Sequence, residues 1–301
     1  MERRPLGKTG LDVTLLGFGT SEIGFFHTPI EEVGRILNEA LDAGLRLIDT
    51  AECYLDSEEK IGLTVSHRRS EFVLASKLGH SFAGGPELQD WDRELCRLSI
   101  DNSLRQLKTE VIDLMQVHSC SAEVLGRGEV IEVLQQAQAQ GKIRFLGYSG
   151  DGADAVAAIE SGVFDVLQTS CSVADQESID LLLPKAQARQ MGVIVKRPVA
   201  NVAWINGDQP PERAYARTYW ERLQVLQYDF LKSAPQDVFA TALRFTASQP
   251  GVSSMIVGSQ RPGRWIENAR ILEAGPLPEA EVARIRSRWH DVAPPDWVGQ
   301  T

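Results

Sequence analysis

The chain lacks the features that mark a membrane protein, a nucleic-acid binder or a secreted disulfide scaffold. No apolar run approaches the roughly 20 residues of a membrane-spanning helix, and MERRPLGKTG has no apolar signal core behind its charges. Cationic residues are outnumbered, 31 Lys and Arg against 41 Asp and Glu, and the formal charge of -10 argues against nucleic acid or an anionic bilayer as partner. Cysteine is sparse: Cys53, Cys96, Cys120 and Cys171 show no CxxC spacing, so they read as reduced thiols of a cytoplasmic protein. His118-Ser119-Cys120 invites a metal reading, but zinc wants three or four ligands at recurring spacing, and no metal is expected.

What the chain has is alternation. Short runs rich in β-formers recur at LLGFGT (15–20), RLIDTA (46–51), FVLASKL (72–78), VIDLMQVH (111–118), IRFLGYS (143–149), DVLQTSCS (165–172), GVIVKRP (192–198) and SSMIVGS (253–259). Between them lie helical patterns with apolar spacing of three and four, such as Cys96, Ile100, Leu104 and Leu107, or Val130, Leu134 and Ala137 ended by Gly141. Several runs are apolar with little alternation, as in parallel strands buried on both faces. Eight such strands in 301 residues predict an α/β fold, a closed (β/α)8 barrel in one domain spanning 1–301. Ahead of it, RRPLGKTGLDVT reads as an N-terminal β-hairpin able to plug one end of the barrel. Residues 200–234 interrupt the rhythm with Pro210-Pro211 and a dense aromatic set; either they line the pocket or they pack outside the barrel. Residues 276–301 read as a helix and a Pro-rich tail, expected to line the pocket together with 200–234.

Four proton-handling side chains fall at strand ends: Asp49 and Tyr54 in LIDTAECY, Lys77 in VLASKL and His118 in DLMQVH. In a parallel barrel they converge at one end, where barrel chemistry sits. A tyrosine is a weak acid, with a pKa near 10, and a neighbouring ammonium favours its phenolate. Lys77 is that ammonium, Asp49 holds it charged, and His118 donates to a substrate oxygen. Such a set suits an oxygen that acquires negative charge, although the spacing alone leaves several acid-base chemistries open.

The chain resembles the aldo-keto reductases. The likeness runs from RPLGKTGLDVTLLGFGT through LIDTAECY, ASKLG, LKTEVIDLMQVHS and GKIRFLGYS to IVGSQRPGRWIEN. It implies a (β/α)8 barrel and a catalytic tetrad of Asp49, Tyr54, Lys77 and His118. It also implies hydride transfer from NADPH or NADH to the carbonyl of an aldehyde or ketone, with Tyr54 as proton donor. No Rossmann unit is needed, and GFGTSEIG departs from GxGxxG. Family members that reduce steroid carbon-carbon double bonds carry Glu at the position of His118, so the histidine implies carbonyl reduction. The implied cofactor contacts are Gly19, Thr20, Asp49, Ser149, Gln168, Lys196, Arg197, Ser259, Arg264, Glu267 and Asn268. Two departures from the usual pattern lie beside the nicotinamide: Gly150 replaces an Asn at the carboxamide, and Lys196 stands where a ring commonly stacks. Arg264 favours a 2'-phosphate, hence NADP(H), while Gly258 replaces a Lys of many NADPH-specific members and leaves NAD(H) open. The partner is then a small carbonyl compound, bound by a monomer or small homo-oligomer. The alternative within the family is a nucleotide-binding redox sensor with little turnover.

Overall fold

The computed structural model describes residues 1–300. Strands β1 (Arg3–Pro5) and β2 (Asp12–Thr14) pair antiparallel. Eight parallel strands follow: β3 (Leu16–Gly19), β4 (Leu47–Asp49), β5 (Val73–Leu78), β6 (Ile112–His118), β7 (Ile143–Ser149), β8 (Val166–Ser170), β9 (Gly192–Lys196) and β10 (Ser254–Val257). They close in sequence order, with β10 pairing to β3. Each of the eight predicted runs contains one of these strands. Their apolar composition has a physical cause: β5, for example, is buried at every position, with the barrel interior on one face and helices on the other.

The helices are built as their spacing predicts. Helix Ile30–Asp42 turns Val33, Ile36, Leu37, Ala40 and Leu41 onto the barrel. Helix Arg93–Gln106 starts at Asp92, whose carboxylate accepts from the backbone N-H groups of Glu94 and Leu95, and buries Leu95, Cys96 and Ile100. Among the described residues, no helix is long and apolar enough to cross a membrane.

The hairpin is the plug expected. Leu6, Leu11 and Val13 pack with Leu47, Val73, Leu114, Val166 and Ile194, which fill the barrel interior toward the N-terminal ends of its strands. The opposite end is thereby left for chemistry.

Residues 200–234 are more ordered than a loop. They form a 3-10 segment at Ala200–Asn206, a helix at Ala214–Leu226 and a short turn at Asp229–Lys232. The tail also folds back. After helix Glu279–Val292, the carbonyl of Val298 accepts from Arg222 (2.6 Å), Gly299 N-H donates to Glu177 (2.7 Å), and the carbonyl of Gln300 accepts from Ser170 and Arg197. Ser170 and Arg197 lie at the C-terminal ends of β8 and β9, so the tail reaches the mouth of the barrel.

Candidate active site

Strand register assembles the site. Asp49 is level with Gly19 and Ala75, Lys77 with Gln116, and Ser149 with both His118 and Gln168. All lie at or near the C-terminal ends of their strands. Tyr54 is carried on the turn after β4, anchored by Tyr54 N-H to Ala51 carbonyl (3.1 Å) and Ser57 N-H to Tyr54 carbonyl (3.0 Å). Ser57 hydroxyl in turn donates to Thr20 Oγ1 at 2.8 Å. Gly24 is required here because a Cβ at that position would lie 2.0 Å from the Tyr54 carbonyl oxygen.

At the centre, Lys77 Nζ donates to Asp49 Oδ2 at 2.6 Å and to the Thr50 carbonyl at 2.9 Å. Both side chains of the pair are only 1% exposed. Asp49 Oδ1 accepts from Gln116 (3.0 Å) and Gln168 (2.8 Å), so the carboxylate is fully engaged. Lys77 Nζ lies 5.0 Å from the centroid of the Tyr54 ring, and the Tyr54 and His118 rings meet edge to face at 6.0 Å. Sequence spacing thus brought four side chains to one place, as expected. Gln116 was not anticipated; its position two residues before His118 on the same strand, and so on the same face, was the available signal.

Burial works against the charge on Lys77, yet the Asp49 carboxylate and the Tyr54 oxygen together hold its pKa above the ordinary lysine value. The lysine is therefore a fixed cation. Tyr54 is pushed up to about 12, because desolvation of its hydroxyl outweighs the opposing pull of Lys77. The pull of the ammonium toward the phenolate, expected from the sequence, is present in the folded chain but smaller than the cost of burial. His118 lies well below the usual histidine range, first through burial and then through Lys77, so it is a neutral imidazole. A neutral ring donates a hydrogen bond without carrying a charge.

The expected cofactor positions form two groups. In the first, Gly19 ends β3, Thr20 Oγ1 donates to the Asp49 carbonyl (3.0 Å), and Ser149 Oγ donates to Gln168 Oε1 (3.3 Å). Lys196 Nζ is paired with Asp151 at 2.9 Å, and Arg197 donates to Tyr215 hydroxyl (2.6 Å) and Ser170 Oγ (2.9 Å). Burial would raise Asp151, but Lys196 holds it below the usual carboxylate range. The second group lies beyond β10. Ser259 Oγ accepts from Arg261 N-H (3.0 Å), and Arg264 opens helix Arg264–Glu273 with its guanidinium 3.2 Å from Glu267. Arg261 reaches the same carboxylate. It was missed in the sequence, although the pair of arginines bracketing Pro262-Gly263 was visible.

Two observations test whether this second group fits a nucleotide. Asn268 is 2% exposed and its Oδ1 has no hydrogen-bond partner, an acceptor suited to the exocyclic amine of an adenine. Gly258 lies so close to Gly19 that a Cβ would sit 2.8 Å from the Gly19 carbonyl oxygen, so the position admits no side chain and its backbone lies bare beside Ser259. The residues present fit the group.

Among the aromatic side chains, Phe25 lies 5.5 Å from the Tyr54 ring, Trp91 Nε1 donates to the His118 carbonyl (2.9 Å), and Phe26 is covered by Arg213. Tyr215 lies under Arg197, and Trp204 packs against the core. Tyr219 is buried, donating to Asp175 at 2.9 Å, and Trp220 donates to the Gly207 carbonyl at 2.8 Å; these two serve packing.

The chain belongs to the Aldo/keto reductase family, whose model matches residues 15–290. It is therefore an oxidoreductase of small molecules, in a family whose members generally bind nicotinamide nucleotides. It is 27% identical over 302 residues to an uncharacterized oxidoreductase of Bacillus subtilis, covering 95% of this chain and 96% of the relative. It is 29% identical over 283 residues to L-galactose dehydrogenase of Arabidopsis thaliana, covering 89% and 87%. Among solved structures, the holo form of an aldo-keto reductase from Bacillus halodurans matches with a TM-score of 0.83 at 26% identity, covering 96% of both chains.

Proposed function

We propose that the chain is a carbonyl reductase that prefers NADP(H) and converts an aldehyde or ketone to an alcohol, with Tyr54 as proton donor. The observation that carries this reading is the sealed Lys77–Asp49 pair set against the Tyr54 ring and flanked by a neutral His118. When bound, the reduced nicotinamide would supply hydride to the carbonyl carbon; Ser149, Gln168 and Asp49 would hold its amide and ribose, and Arg264 and Ser259 its adenosine phosphate. His118 donates a hydrogen bond to the carbonyl oxygen and fixes its direction. Tyr54 gives its hydroxyl proton to that oxygen as negative charge develops there. The Lys77 ammonium, kept charged by Asp49, stabilises the phenolate left on Tyr54. Gln116 and Gln168 fix Asp49 so that the charge on Lys77 is aimed at Tyr54 and not at solvent.

The complete tetrad favours turnover over a sensor role. The aliphatic stem of Lys196, tied at its end to Asp151, would cover the face of a bound nicotinamide in place of an aromatic ring. The test is Tyr54→Phe. Aldehyde-dependent oxidation of NADPH should fall by about 10²–10⁴, while NADPH binding, followed by quenching of tryptophan fluorescence, stays within twofold of wild type. A variant that still turns over, or a wild type that binds NADPH and reduces no carbonyl compound, would overturn the assignment.

A further inference from the structure

Beside the tetrad, and sharing His118 with it, lies a second constellation whose other members, Glu52 and Cys53, the reductase reading does not use. Glu52 and Cys53 are consecutive on the turn after β4, and His118 ends β6. One ligand atom from each, a carboxylate oxygen, Cys53 Sγ and a His118 ring nitrogen, lie within 4.8 Å of one another. The thiol and the imidazole are closest, with Cys53 Sγ 3.6 Å from His118 Nδ1.

That separation has a geometric meaning. A tetrahedral zinc with Zn–S about 2.3 Å and Zn–N about 2.05 Å places the two ligand atoms roughly 3.6 Å apart. The sulfur and nitrogen already stand at the edge length of such a tetrahedron. Glu52 supplies the second, independent observation. Its side chain is 3% exposed, Oε1 accepts from His80 N-H at 3.0 Å, and Oε2 has no hydrogen-bond partner. A buried carboxylate oxygen without a donor is costly, and a cation is what it lacks. The Cys120 thiol, next but one to His118, is turned away toward the Ser121 carbonyl at 3.5 Å and takes no part.

We propose that Glu52, Cys53 and His118 form a binding site for a borderline-soft divalent cation of the zinc class, with water in the fourth position. The donor set is one carboxylate oxygen, one thiolate and one imidazole, the mixture such ions accept and hard cations such as Mg2+ do not. On binding, the Cys53 thiol and the Glu52 carboxyl, where it is protonated, release their protons to solvent as the sulfur–metal and oxygen–metal bonds form, and no electrons are transferred. Coordination through Nδ1 leaves the ring proton of His118 on Nε2 and stops the ring from turning. The metal site thus shares one residue with the tetrad.

The test uses the full chain, freed of metal by chelator and titrated with Co2+ under argon without nucleotide. One equivalent should give the intense visible bands of tetrahedral cobalt with a thiolate-to-cobalt charge-transfer band, and Zn2+ should abolish both. Cys53→Ser should lose the charge-transfer band, and Glu52→Gln should weaken binding at least tenfold. A readout without substitution covers the case in which a variant fails to fold. Cys53 is partly exposed and the other three cysteines are buried, so Zn2+ should slow alkylation of Cys53 by iodoacetamide at least tenfold, read by mass spectrometry. Weak octahedral cobalt bands alone, or alkylation of Cys53 unchanged by Zn2+, would overturn the site. Neither result bears on carbonyl reduction, and loss of reductase activity in Tyr54→Phe does not bear on the metal.

Discussion

Asp49 Oδ2 and Lys77 Nζ lie 2.6 Å apart with both side chains almost sealed from solvent. A buried pair of this kind is destabilised far more by losing one partner than by losing both. Asp49→Leu leaves the Lys77 ammonium with the Thr50 carbonyl alone, and it should cost about 3–5 kcal/mol. Lys77→Met leaves Asp49 still accepting from Gln116 and Gln168, so its cost should be smaller. Urea unfolding of the two variants checks the order; equal losses would mean that the glutamines do not support the carboxylate.

Glu58 sets a pH dependence of stability. Burial holds its pKa up to about 7, against an opposing hydrogen bond from Ser76 (2.5 Å). Between its ordinary value of 4.5 and about 7 the folded chain keeps a proton that the unfolded chain has lost. Stability contributed at this residue therefore falls as pH rises through that window and levels off above it. Glu58→Gln removes the titration, so the stability of wild type relative to the variant should drop by on the order of 3 kcal/mol from pH 4.5 to pH 8. Parallel stability curves for the two proteins would show that Glu58 ionises normally.

Arg264 is the lever on nucleotide choice. Its guanidinium and that of Arg261 both rest on Glu267, a carboxylate that a 2'-phosphate would replace. Arg264→Ala should weaken NADPH binding by about tenfold, as expected for loss of a charge-assisted hydrogen bond, and change NADH binding by less than twofold. Fluorescence titration with both nucleotides decides it. Equal losses would place Arg264 on a part of the nucleotide common to the two.

Gly24→Ala tests the placement of Tyr54. The added methyl would lie 2.0 Å from the Tyr54 carbonyl, so the turn must move. Because catalysis is sensitive to displacements of about 1 Å, kcat should fall by about 10²-fold while Kd for NADPH holds within threefold. Steady-state kinetics with nucleotide titration separates the two; an unchanged kcat would mean that the turn yields without moving the hydroxyl.

The barrel was legible because a parallel strand must be apolar on both faces, which writes each strand into the sequence as a short unbroken run. The tetrad was legible because strand ends in such a barrel converge. The helix Ala214–Leu226 was not, although Tyr219, Leu223 and Leu226 recur at helical spacing on its buried face: Pro210-Pro211 and the aromatic set around it broke the alternation of strand and helix, and the polar contacts of Tyr219 and Arg222 with the buried Asp175 leave no trace in the pattern. The tail was hidden for a similar reason, being held largely through backbone groups of Val298, Gly299 and Gln300. Glu52 was read only as a letter inside LIDTAECY, and Cys53 only as a reduced thiol, because their neighbour His118 is distant in sequence.

The hairpin that closes the far end of the barrel divides the molecule into two territories for engineering. Leu6 and Val13 are fully enclosed there, a barrel length from Tyr54. Changes to that lid can raise or lower the melting temperature without reshaping the pocket, so heat tolerance and substrate choice can be selected in separate libraries and then combined.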